Sequence, residues 1–435
     1  MSISSFSGLQ TSLRALMAQQ AALNTTAHNI ANVNTKGYTR QTVELGASLP
    51  YTLSAGVTQS GAGAQIGQGV DVLAFSRARD VFGDLQFRAQ QMLSGEASTQ
   101  AQALDQAQDL AGEPSDTSIN ALLSKYHDAW QDVADHPGTA SAKAALIGHA
   151  TSLAKAINQL DAGLAQIQAS AGAQYTALTG SQGPVRAAAT EIATLNRSIT
   201  DAVARGQEPN DLLDRRDLLL DQLSELGQVS VSDLGNGSIS VQFGDAAGPL
   251  VNGATVTWPQ ALGTTTGGKL GALLDLGSSG TIGAYRADLD AMAAGLTTAT
   301  NAIHPTPFFS GTTAATFGVA ATPVTVRAGS TAAAGANDLA LQLAALRGGS
   351  SDTAYAGLVR DMGAGAADAR RRADTSATLA ASADERRQSV SGVALDEELT
   401  DMLRFQRGYQ AASRALSTMD EMLDVLINRT GRVGL

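Results

Sequence analysis

Apolar residues recur with heptad spacing near the beginning of the chain. They step alternately three and four residues and form what we call the N-terminal heptad row: Phe6, Leu9, Leu13, Leu16, Gln20, Leu23, Ala27 and Ile30. Such a narrow row is typical of coiled-coil helices and differs from the broad apolar face of an ordinary amphipathic helix. Lys36 and Gly37 supply a cationic last turn and a terminating glycine. We therefore predict a helix over residues 6–36.

The same spacing returns near the other end of the chain. The C-terminal heptad row consists of Met402, Phe405, Tyr409, Ala412, Leu416, Met419, Leu423 and Leu426. Asp396, Glu397 and Glu398 place negative charge where a helix would begin, which the helix dipole favours. A lone helix cannot bury such a row. The two ends must therefore pair with each other, with the rest of the chain, or with other subunits, and the pattern fits a helical hairpin and an assembly equally well.

Helical periodicity also dominates the middle of the chain. It is found over residues 74–109, 120–130, 140–179, 181–201, 210–226, 270–303 and 338–390. Asn210 is predicted to cap the start of its helix. Residues 38–72 are rich in Gly, Ser, Thr and Gln, which is loop and hairpin composition. We therefore predict a bundle of long helices.

A change of period marks a β-rich insertion. Residues 229–232 and 238–243 alternate apolar and polar side chains around Gly235-Asn236-Gly237, which predicts a β-hairpin. Residues 255–258 continue the strand-like pattern, and residues 305–327 are β-rich but broken by Pro and Gly. The predicted fold class is mainly α with a β-rich insertion, arranged as nested domains.

The expected domains are each built from an outgoing and a returning segment. Residues 1–36 and 395–435 would form the paired terminal coiled-coil helices. Residues 37–228, 268–304 and 331–394 would form the helical bundle, with a loop or hairpin region at 38–72. Residues 229–267 and 305–330 would form a small β-rich outer domain.

Composition and charge narrow the functional classes. Charged residues are 16% of the chain and the net charge is −11, so the overall field repels nucleic acid and anionic lipid. Cysteine is absent, which excludes disulfides, thiolate metal sites and cysteine nucleophiles. The chain has no apolar run of membrane-spanning length. Its first residues lack the basic and apolar regions of a cleavable secretory signal.

One glycine-rich segment approaches a phosphate-binding loop. Residues 263–270 read GTTTGGKL and nearly match G-x-x-x-x-G-K-[ST]. Leu270 replaces the hydroxyl residue that would bind Mg²⁺, so we interpret the segment as a structural turn into a helix. Gly61, Gly63 and Gly67 fail the spacing of a dinucleotide-binding loop and indicate an ordinary loop.

Other catalytic and metal motifs are missing from the sequence. The five histidines form neither H-E-x-x-H nor H-x-H, and no G-x-S-x-G is present. Carboxylate pairs such as Asp214 and Asp217, and basic pairs such as Arg386 and Arg387, are interpreted as solvated helix faces. We therefore assign no catalytic, cofactor-binding or metal-binding residue, expect no cofactor, and predict that the protein is not an enzyme.

The segment that follows the first helix resembles a protein family. Residues 29–41 read NIANVNTKGYTRQ, which is similar to the N-terminal signature of bacterial flagellar axial proteins, the rod, hook and hook-associated proteins. The signature residues are Asn29, Asn32, Thr35, Gly37, Tyr38 and Arg40. Residues 37–41 resemble the hook-associated proteins of the hook–filament junction more than rod or hook proteins. The segments 391–398, 404–406, 409–410, 210–217 and 267–274 are also similar to segments of those junction proteins. Between His304 and about Ala354 the chain looks shorter than longer family members, which implies a reduced outer domain.

The resemblance implies a structural adaptor between hook and filament. It implies that the terminal helices pair in the assembled tube, so that their heptad rows form the assembly interface, and that the chain is exported by the flagellar type III apparatus. The implied partners are further copies of the chain, hook protein, hook-associated protein 3 and an export chaperone, outside the cell. Two alternatives remain at this stage: a hook or rod protein, and a secreted hydrolase carried on flagellin-like helices.

Overall fold

The computed structural model describes residues 6–52, 65–277, 279–333 and 335–429. Its helices are α1 (Phe6–Ala31), α2 (Val81–Ala111), α3 (Ile119–Asp135), α4 (Ala140–Thr179), α5 (Pro184–Ala204), α6 (Asn210–Leu226), α7 (Gly268–Asp275), α8 (Thr281–Ile303), α9 (Asp338–Ala344), α10 (Ser350–Ser391) and α11 (Leu395–Asp424). A 3₁₀ turn lies at Thr264–Thr266, and a π-helical turn at Val425–Arg429 extends α11. The predicted mainly α fold with small β elements is confirmed.

The strands are short and form separate sheets. They are β1 (Gln41–Ala47), β2 (Tyr51–Thr52), β3 (Gln65–Ile66), β4 (Val70–Arg77), β5 (Val229–Asp233), β6 (Ile239–Phe243), β7 (Val251–Asn252), β8 (Thr255–Val256), β9 (Phe309–Ser310) and β10 (Gly318–Val319). Strand β1 pairs with β4, β2 with β3, and β9 with β10, all antiparallel. Strands β5 to β8 form a four-stranded antiparallel meander.

Local signals explain where several helices begin. The Asp80 carboxylate accepts a hydrogen bond from the Phe82 amide and caps α2, and the Ser118 hydroxyl accepts one from the Ala121 amide and caps α3. Pro184 occupies the first turn of α5, where its missing N–H costs nothing. The prediction that Asn210 caps α6 is wrong. Its side chain instead donates to the side-chain amide oxygen of Gln41 and to the main-chain carbonyl of Phe75 in the β1–β4 hairpin.

The helix predicted from residue 74 begins later than expected. Strand β4 continues to Arg77 and pairs with β1 from Gln41↔Arg77 to Ala47↔Val70, with an irregularity at Glu44/Leu45. Pairing along β1 holds these residues in the extended conformation, so local helical periodicity is overridden. The predicted loop or hairpin at 38–72 is therefore a longer hairpin, whose residues 53–64 lie outside the described residues, as do Gly61 and Gly63 of the glycine pattern.

One hydrophobic core lies among α3, α4, α8 and α10. The largest side chains that are fully buried there include Tyr126, Trp130, Leu146 and Ile157. The segment after α8 folds back onto this core, because Phe308, Phe309 and Phe317 are buried in it. The rings of Phe308 and Trp130 lie 5.1 Å apart, a distance typical of attractive aromatic pairs.

A second core lies between α5, α6 and the β5–β8 meander. Val185, Ile192, Leu220 and Phe243 are buried there. Trp258 closes this core, and its indole N–H donates to the Thr179 carbonyl at 2.8 Å. The predicted hairpin over residues 229–243 thus forms two strands of a sheet whose inner face packs against helices.

We expected residues 229–267 and 305–330 to form one outer domain, but the two segments pack into different hydrophobic cores. The first segment belongs to the second core, whereas the second segment belongs to the bundle core. The physical reason is the aromatic content of residues 308–317, which is buried against α3, α4 and α8 and leaves only the two-residue strands β9 and β10. In the described part of the chain, no helix is long and apolar enough to cross a bilayer.

His304 forms hydrogen bonds with the segment that follows α8. Its environment predicts that the folding stability depends on pH. Its Nδ1 lies 2.5 Å from the Thr306 carbonyl oxygen, and its Nε2 accepts the Arg327 amide at 3.0 Å, which requires a neutral ring. Burial lowers the pKa of His304. The unfolded chain therefore binds more protons than the folded chain as the pH falls through about 6.5, so folding stability drops with falling pH.

We expect His304→Gln to remove this component. Between pH 7.5 and 5.5 the melting temperature of the unsubstituted protein should fall more than that of His304→Gln. The matched control is His136→Gln, because His136 is exposed and should leave the pH dependence unchanged. Equal pH dependence of the unsubstituted protein and His304→Gln would show that His304 does not resist protonation.

Candidate assembly site at the junction of the terminal helices

The two terminal helices pair antiparallel along their length. A Cβ built on Gly8 would lie 3.0 Å from the Met419 sulfur, and one on Gly408 would lie 2.7 Å from Gln19 Oε1. The Asn29 side chain contacts Glu398 at 3.0 Å. The facing residue numbers add to 427 in all three contacts, so the register is constant. Because Gly8 and Gly408 have no side chain, the two helices can approach each other closely at these positions.

Helix α1 buries a face of small and polar residues. Its buried residues are Ser12, Ala18, Ala22, Thr25, Thr26 and Asn29. The N-terminal heptad row lies beside this face: Leu9, Leu16, Leu23 and Ile30 are half-buried, whereas Leu13 is 40% exposed and Gln20 and Ala27 are exposed. The β1–β4 hairpin packs against this buried face, where Gly69 approaches Thr11 and Gln41 bonds to Asn29. The heptad row of α1 is thus not the face that the chain itself buries most.

The C-terminal heptad row lies toward α1 but is only half-buried. This holds for Met402, Phe405, Tyr409, Ala412, Leu416, Met419 and Leu423. The side chains of Phe6 and Leu426, also predicted at the interface, lie outside the described residues. Among the described side chains of α11, Glu398 alone is buried. Among the described side chains, the terminal pair therefore buries only two small apolar residues, Ala18 and Ala22.

Asn29 forms the centre of the junction. Its amide NH₂ donates to the Gln41 carbonyl at 2.9 Å and to Glu398 Oε2 at 3.0 Å. Its amide oxygen accepts from the Tyr38 hydroxyl at 2.7 Å and from the Gln41 N–H at 3.0 Å. All four hydrogen bonds that an asparagine side chain can readily form are made. One buried residue thereby joins α1, the start of β1 and the start of α11.

Arg40 completes the junction from the hairpin side. Its Nε donates to Glu398 Oε1 at 2.6 Å, and a second nitrogen donates to Glu397 at 3.1 Å. The Arg40 amide donates to the Ser391 carbonyl at 2.9 Å, which anchors the end of α10 at the same place. Glu398 therefore receives Asn29 on one oxygen and Arg40 on the other. A buried carboxylate with both oxygens bonded is favourable only when both partners are in place.

The remaining signature residues shape the turn between α1 and β1. The Asn32 side chain donates to the His28 carbonyl at 3.0 Å, and the Thr35 hydroxyl donates to Asn32 Oδ1 at 3.1 Å. Gly37 has φ +82°, where L side chains are strained, and a Cβ there would lie 3.2 Å from Leu218. The structure thus brings all six signature residues into one turn and junction.

A cluster of ion pairs continues from the junction into the bundle. The Thr39 amide donates to Asp214 at 2.9 Å, and Arg77 donates to Asp214 at 2.8 Å and to Asp217 at 3.0 Å. Arg79 also pairs with Asp217. The interpretation of Asp214 and Asp217 as a solvated pair is wrong, because Asp214 is buried. The two carboxylates bind Arg77 and Arg79, which lie at the end of the hairpin. The sequence alone does not show that the hairpin lies next to α6.

Burial perturbs the ionisable groups of this cluster. Burial raises the pKa of Asp214, against the lowering effect of Arg77 and the Thr39 amide. Burial, with the nearby carboxylates Asp211, Asp214 and Glu398, raises the pKa of the Tyr38 hydroxyl, which therefore stays protonated and donates to Asn29.

The far side of the cluster joins α2, α6 and α10. Arg88 donates to Asp221 at 2.7 Å, and Arg387 contacts the same carboxylate at 2.5 Å. The Arg387 guanidinium also lies 4.0 Å from the centre of the Phe87 ring, a cation–π distance. Arg387 was expected on a solvated face but is mostly buried, whereas Arg386 is exposed. The ion pairs fix the end of α10 from which α11 starts.

The segment that resembles a phosphate loop is closed by a carboxylate. Asp245 accepts hydrogen bonds from the Gly263 amide at 2.8 Å and from the Thr265 and Thr266 hydroxyls. These bonds lower the pKa of Asp245 to about 2. The Gly263 amide and the Thr265 and Thr266 hydroxyls are thus occupied by the chain's own anion. In the described residues, no group of three or more His, Asp or Glu side chains is placed to hold a metal.

Family comparisons match both terminal helices and the middle of the chain. Residues 9–39 match the model described as flagella basal body rod protein, and residues 386–429 match that of the flagellar basal body rod FlgEFG protein C-terminal region. Residues 104–261 match the flagellar hook-associated protein FlgK helical domain. The two terminal matches end at or near the junction that contains Asn29, Arg40 and Glu398.

The chain is also similar to individual proteins. Flagellar hook-associated protein 1 of Bacillus subtilis is 30% identical, over 98% of this chain and 99% of its own length. The protein of that name from Salmonella typhimurium is 33% identical over 55% of this chain, which spans only 41% of that relative. A solved structure of the flagellar hook junction protein FlgK from Burkholderia pseudomallei matches 51% of this chain and 43% of its own, with 27% identity and a TM-score of 0.45.

The junction predicts a sharp difference between neighbouring glutamates. Glu398→Ala removes the buried acceptor of both Asn29 and Arg40 and should lower the opening free energy of α11 by about 2–3 kcal/mol. The Glu397 side chain is 65% exposed, and as a surface ion pair Glu397→Ala should cost less than about 1 kcal/mol. Amide hydrogen exchange of residues 395–424 measures both. Equal effects of the two substitutions would rule out the buried junction as the anchor of α11.

Proposed function

Because the chain belongs to the family of flagellar hook-associated protein 1, we propose that it is a non-catalytic structural adaptor assembled at the junction between hook and filament. The family places the chain among the structural components of the bacterial flagellum. The observation that carries the finer proposal is the junction itself. It joins the two segments that match flagellar axial families, and it does so through residues 369 positions apart in sequence, Asn29 and Glu398.

The middle of the chain favours an adaptor over a hook or rod protein. Terminal matches alone would fit several axial proteins, whereas residues 104–261 match the hook-associated helical domain. The pairing of carboxylates with arginines in the charged cluster supports a structural role and disfavours a hydrolase carried on the same helices. The carboxylates Asp214, Asp217 and Asp221 each contact at least one arginine, which suits them to hold elements together.

The proposal includes partners and a route. The adaptor would bind further copies of itself, hook protein on one side and hook-associated protein 3 on the other. It would be exported by the flagellar type III apparatus and act outside the cell. The half-buried heptad rows support this proposal, because they leave apolar surface for other subunits.

Loss of the gene tests the position in the flagellum. A null strain should keep its hooks and lose its filaments in electron micrographs, and the intact gene should restore both filaments and swimming. Hooks that are themselves missing would indicate a hook or rod protein, and normal filaments would refute the adaptor role.

Truncation tests the role of the terminal pair. A protein lacking residues 400–435 should keep a folded middle, since both hydrophobic cores lie within residues 101–369. It should nevertheless fail to restore filaments in the null strain. Circular dichroism and melting measure folding, and micrographs measure assembly. Full rescue by the truncated protein would contradict the proposal.

Binding of an export chaperone to the C-terminal heptad row gives a further prediction. Leu416 and Leu423 lie half-buried toward α1, so α1 covers part of each side chain and a chaperone could bind their whole apolar surface only when α11 leaves α1. Replacing both with Asp should abolish co-purification with the chaperone. Leu399 and Leu403 are exposed on another side of α11, and replacing both with Asp is the matched control that should retain binding. The opposite pattern would place the chaperone elsewhere.

A further inference from the structure

Two Asn-Gly steps lie at turns of the β5–β8 meander. Residues 233–238 read DLGNGS and residues 250–254 read LVNGA, and no other asparagine of the chain precedes a glycine. Asn-Gly is open to an intramolecular reaction, because glycine has no side chain to shield its amide nitrogen from the asparagine side chain. The two steps carry the same reacting groups, so they can be compared within one chain.

The Asn236 side chain is held in an arrangement that favours this reaction. Asn236 is exposed, and its Oδ1 accepts hydrogen bonds from the Ser238 amide at 3.0 Å and from the Ser238 hydroxyl at 2.6 Å. The bond to the Ser238 amide closes an Asx turn, a ring of atoms that contains both Asn236 Cγ and Gly237 N. The two reacting atoms therefore lie on the same side of the turn. Among the described residues, no acceptor binds the Gly237 amide.

Asn252 differs at the attacking nitrogen. The Gly253 amide donates to the Ile239 carbonyl at 3.2 Å, and the Gly253 carbonyl accepts from the Asn196 side chain at 2.8 Å. Gly253 is thus bonded on one side to β6 and on the other to α5. Reaction at Asn252 requires the bond to Ile239 to break first, whereas reaction at Asn236 has no such requirement.

We propose that Asn236 is a self-modification site, at which the folded chain converts its own asparagine into aspartyl and isoaspartyl residues while Asn252 stays intact. The Gly237 amide gives its proton to hydroxide, and its nitrogen attacks Asn236 Cγ. The new N–Cγ bond forms, the bond from Cγ to the side-chain nitrogen breaks, and that nitrogen takes up a proton and leaves as ammonia. Water then opens the succinimide. Hydrolysis at Cγ gives aspartate, and hydrolysis at the main-chain carbonyl gives isoaspartate. Nothing is oxidised or reduced, and the inference does not rest on the proposed function.

The two Ser238 donors act on the atom where charge develops. Attack by Gly237 N places negative charge on Asn236 Oδ1, and that oxygen already has an N–H and an O–H donor. Donors fixed at such a position stabilise the tetrahedral intermediate more than the ground state. Ser238 therefore accelerates the step that forms the ring.

The isoaspartyl product disturbs the contact between the meander and the helices. The Gly237 carbonyl accepts from Arg216 at 2.8 Å, and a Cβ on Gly237 would lie only 3.0 Å from Val203. Arg216 is buried, and its Nε has no partner among the described residues. Isoaspartate inserts one carbon into the main chain before Gly237, so this carbonyl shifts and Arg216 loses an acceptor. Aspartate leaves the main chain unchanged. The isoaspartyl form should therefore melt at a lower temperature than the aspartyl form.

Peptide mass spectrometry of the aged chain tests the site. The purified full-length chain is kept folded in mildly alkaline buffer, sampled over weeks and digested with pepsin in acid, where the reaction stops. Fragment ions place the amide-to-acid mass change at Asn236 or at Asn252, and chromatography separates isoaspartyl from aspartyl peptides. A parallel sample in guanidinium chloride gives the two rates without the fold.

In the folded chain, Asn236 should convert at least about tenfold faster than Asn252, because Asn252 must first lose the Gly253 hydrogen bond and lacks the two donors. In guanidinium chloride this difference should largely disappear. The same ratio in both samples, faster conversion at Asn252, or an unreactive Asn236 in the folded chain would overturn the proposal. This comparison uses the unsubstituted chain and needs no variant to fold.

A pair of serine substitutions tests the donors. Ser238→Ala removes the hydroxyl donor and keeps the amide, and should slow conversion of Asn236 by at least about threefold. The matched control is Ser232→Ala, because Ser232 is exposed on the neighbouring strand β5 and should leave the rate unchanged. Melting curves check that both variants are folded. An unchanged rate in folded Ser238→Ala would overturn the role of the Ser238 hydroxyl.

Discussion

The position of the terminal helix pair depends on one buried carboxylate. Glu398 is 2% exposed, and it accepts hydrogen bonds from Asn29 on one oxygen and Arg40 on the other. Through these residues it connects α11 with α1 and with the β1–β4 hairpin. The heptad rows are only half-buried, so apolar packing within one chain cannot replace this polar anchor. The bundle and the meander, by contrast, each have a hydrophobic core of their own.

This division suits a part that must be built into an assembly. The middle of the chain is stable by ordinary burial of apolar surface. The terminal pair keeps its apolar rows available and is held in register by directional hydrogen bonds, which lose most of their energy as soon as one partner moves. The pair can therefore exchange contacts on assembly without disturbing the cores. In a chain with so few charges, their concentration between α2, α6, α10 and the hairpin marks the place where the two parts are joined.

Periodicity alone predicted the elements whose contacts are local. The helices at 140–179 and 210–226 have the predicted bounds, and the hairpin around Gly235-Asn236-Gly237 is found as predicted. Predictions were wrong where contacts between residues that are distant in sequence determine the structure. Strand β4 runs to Arg77 because β1 pairs with it, and residues 305–330 pack into the bundle core because their aromatic rings meet Tyr126 and Trp130. The role of Glu398 could not be read from the sequence, since its acidic neighbours Asp396 and Glu397 fit the helix dipole equally well. The signature residues around Asn29 were the sequence signal for this contact. They include Asn29 and Arg40, which bind Glu398, but they do not identify Glu398 itself.

The most direct measurement is a double-mutant cycle between Arg40 and Glu398. The opening free energy of α11, from amide hydrogen exchange, is determined for the unsubstituted chain, for Arg40→Ala, for Glu398→Ala and for the double substitution. If the two side chains anchor the terminal pair together, their coupling energy will exceed about 1 kcal/mol. Additive effects, with a coupling within about 0.3 kcal/mol of zero, would contradict the conclusion that this buried contact holds the terminal helices in place.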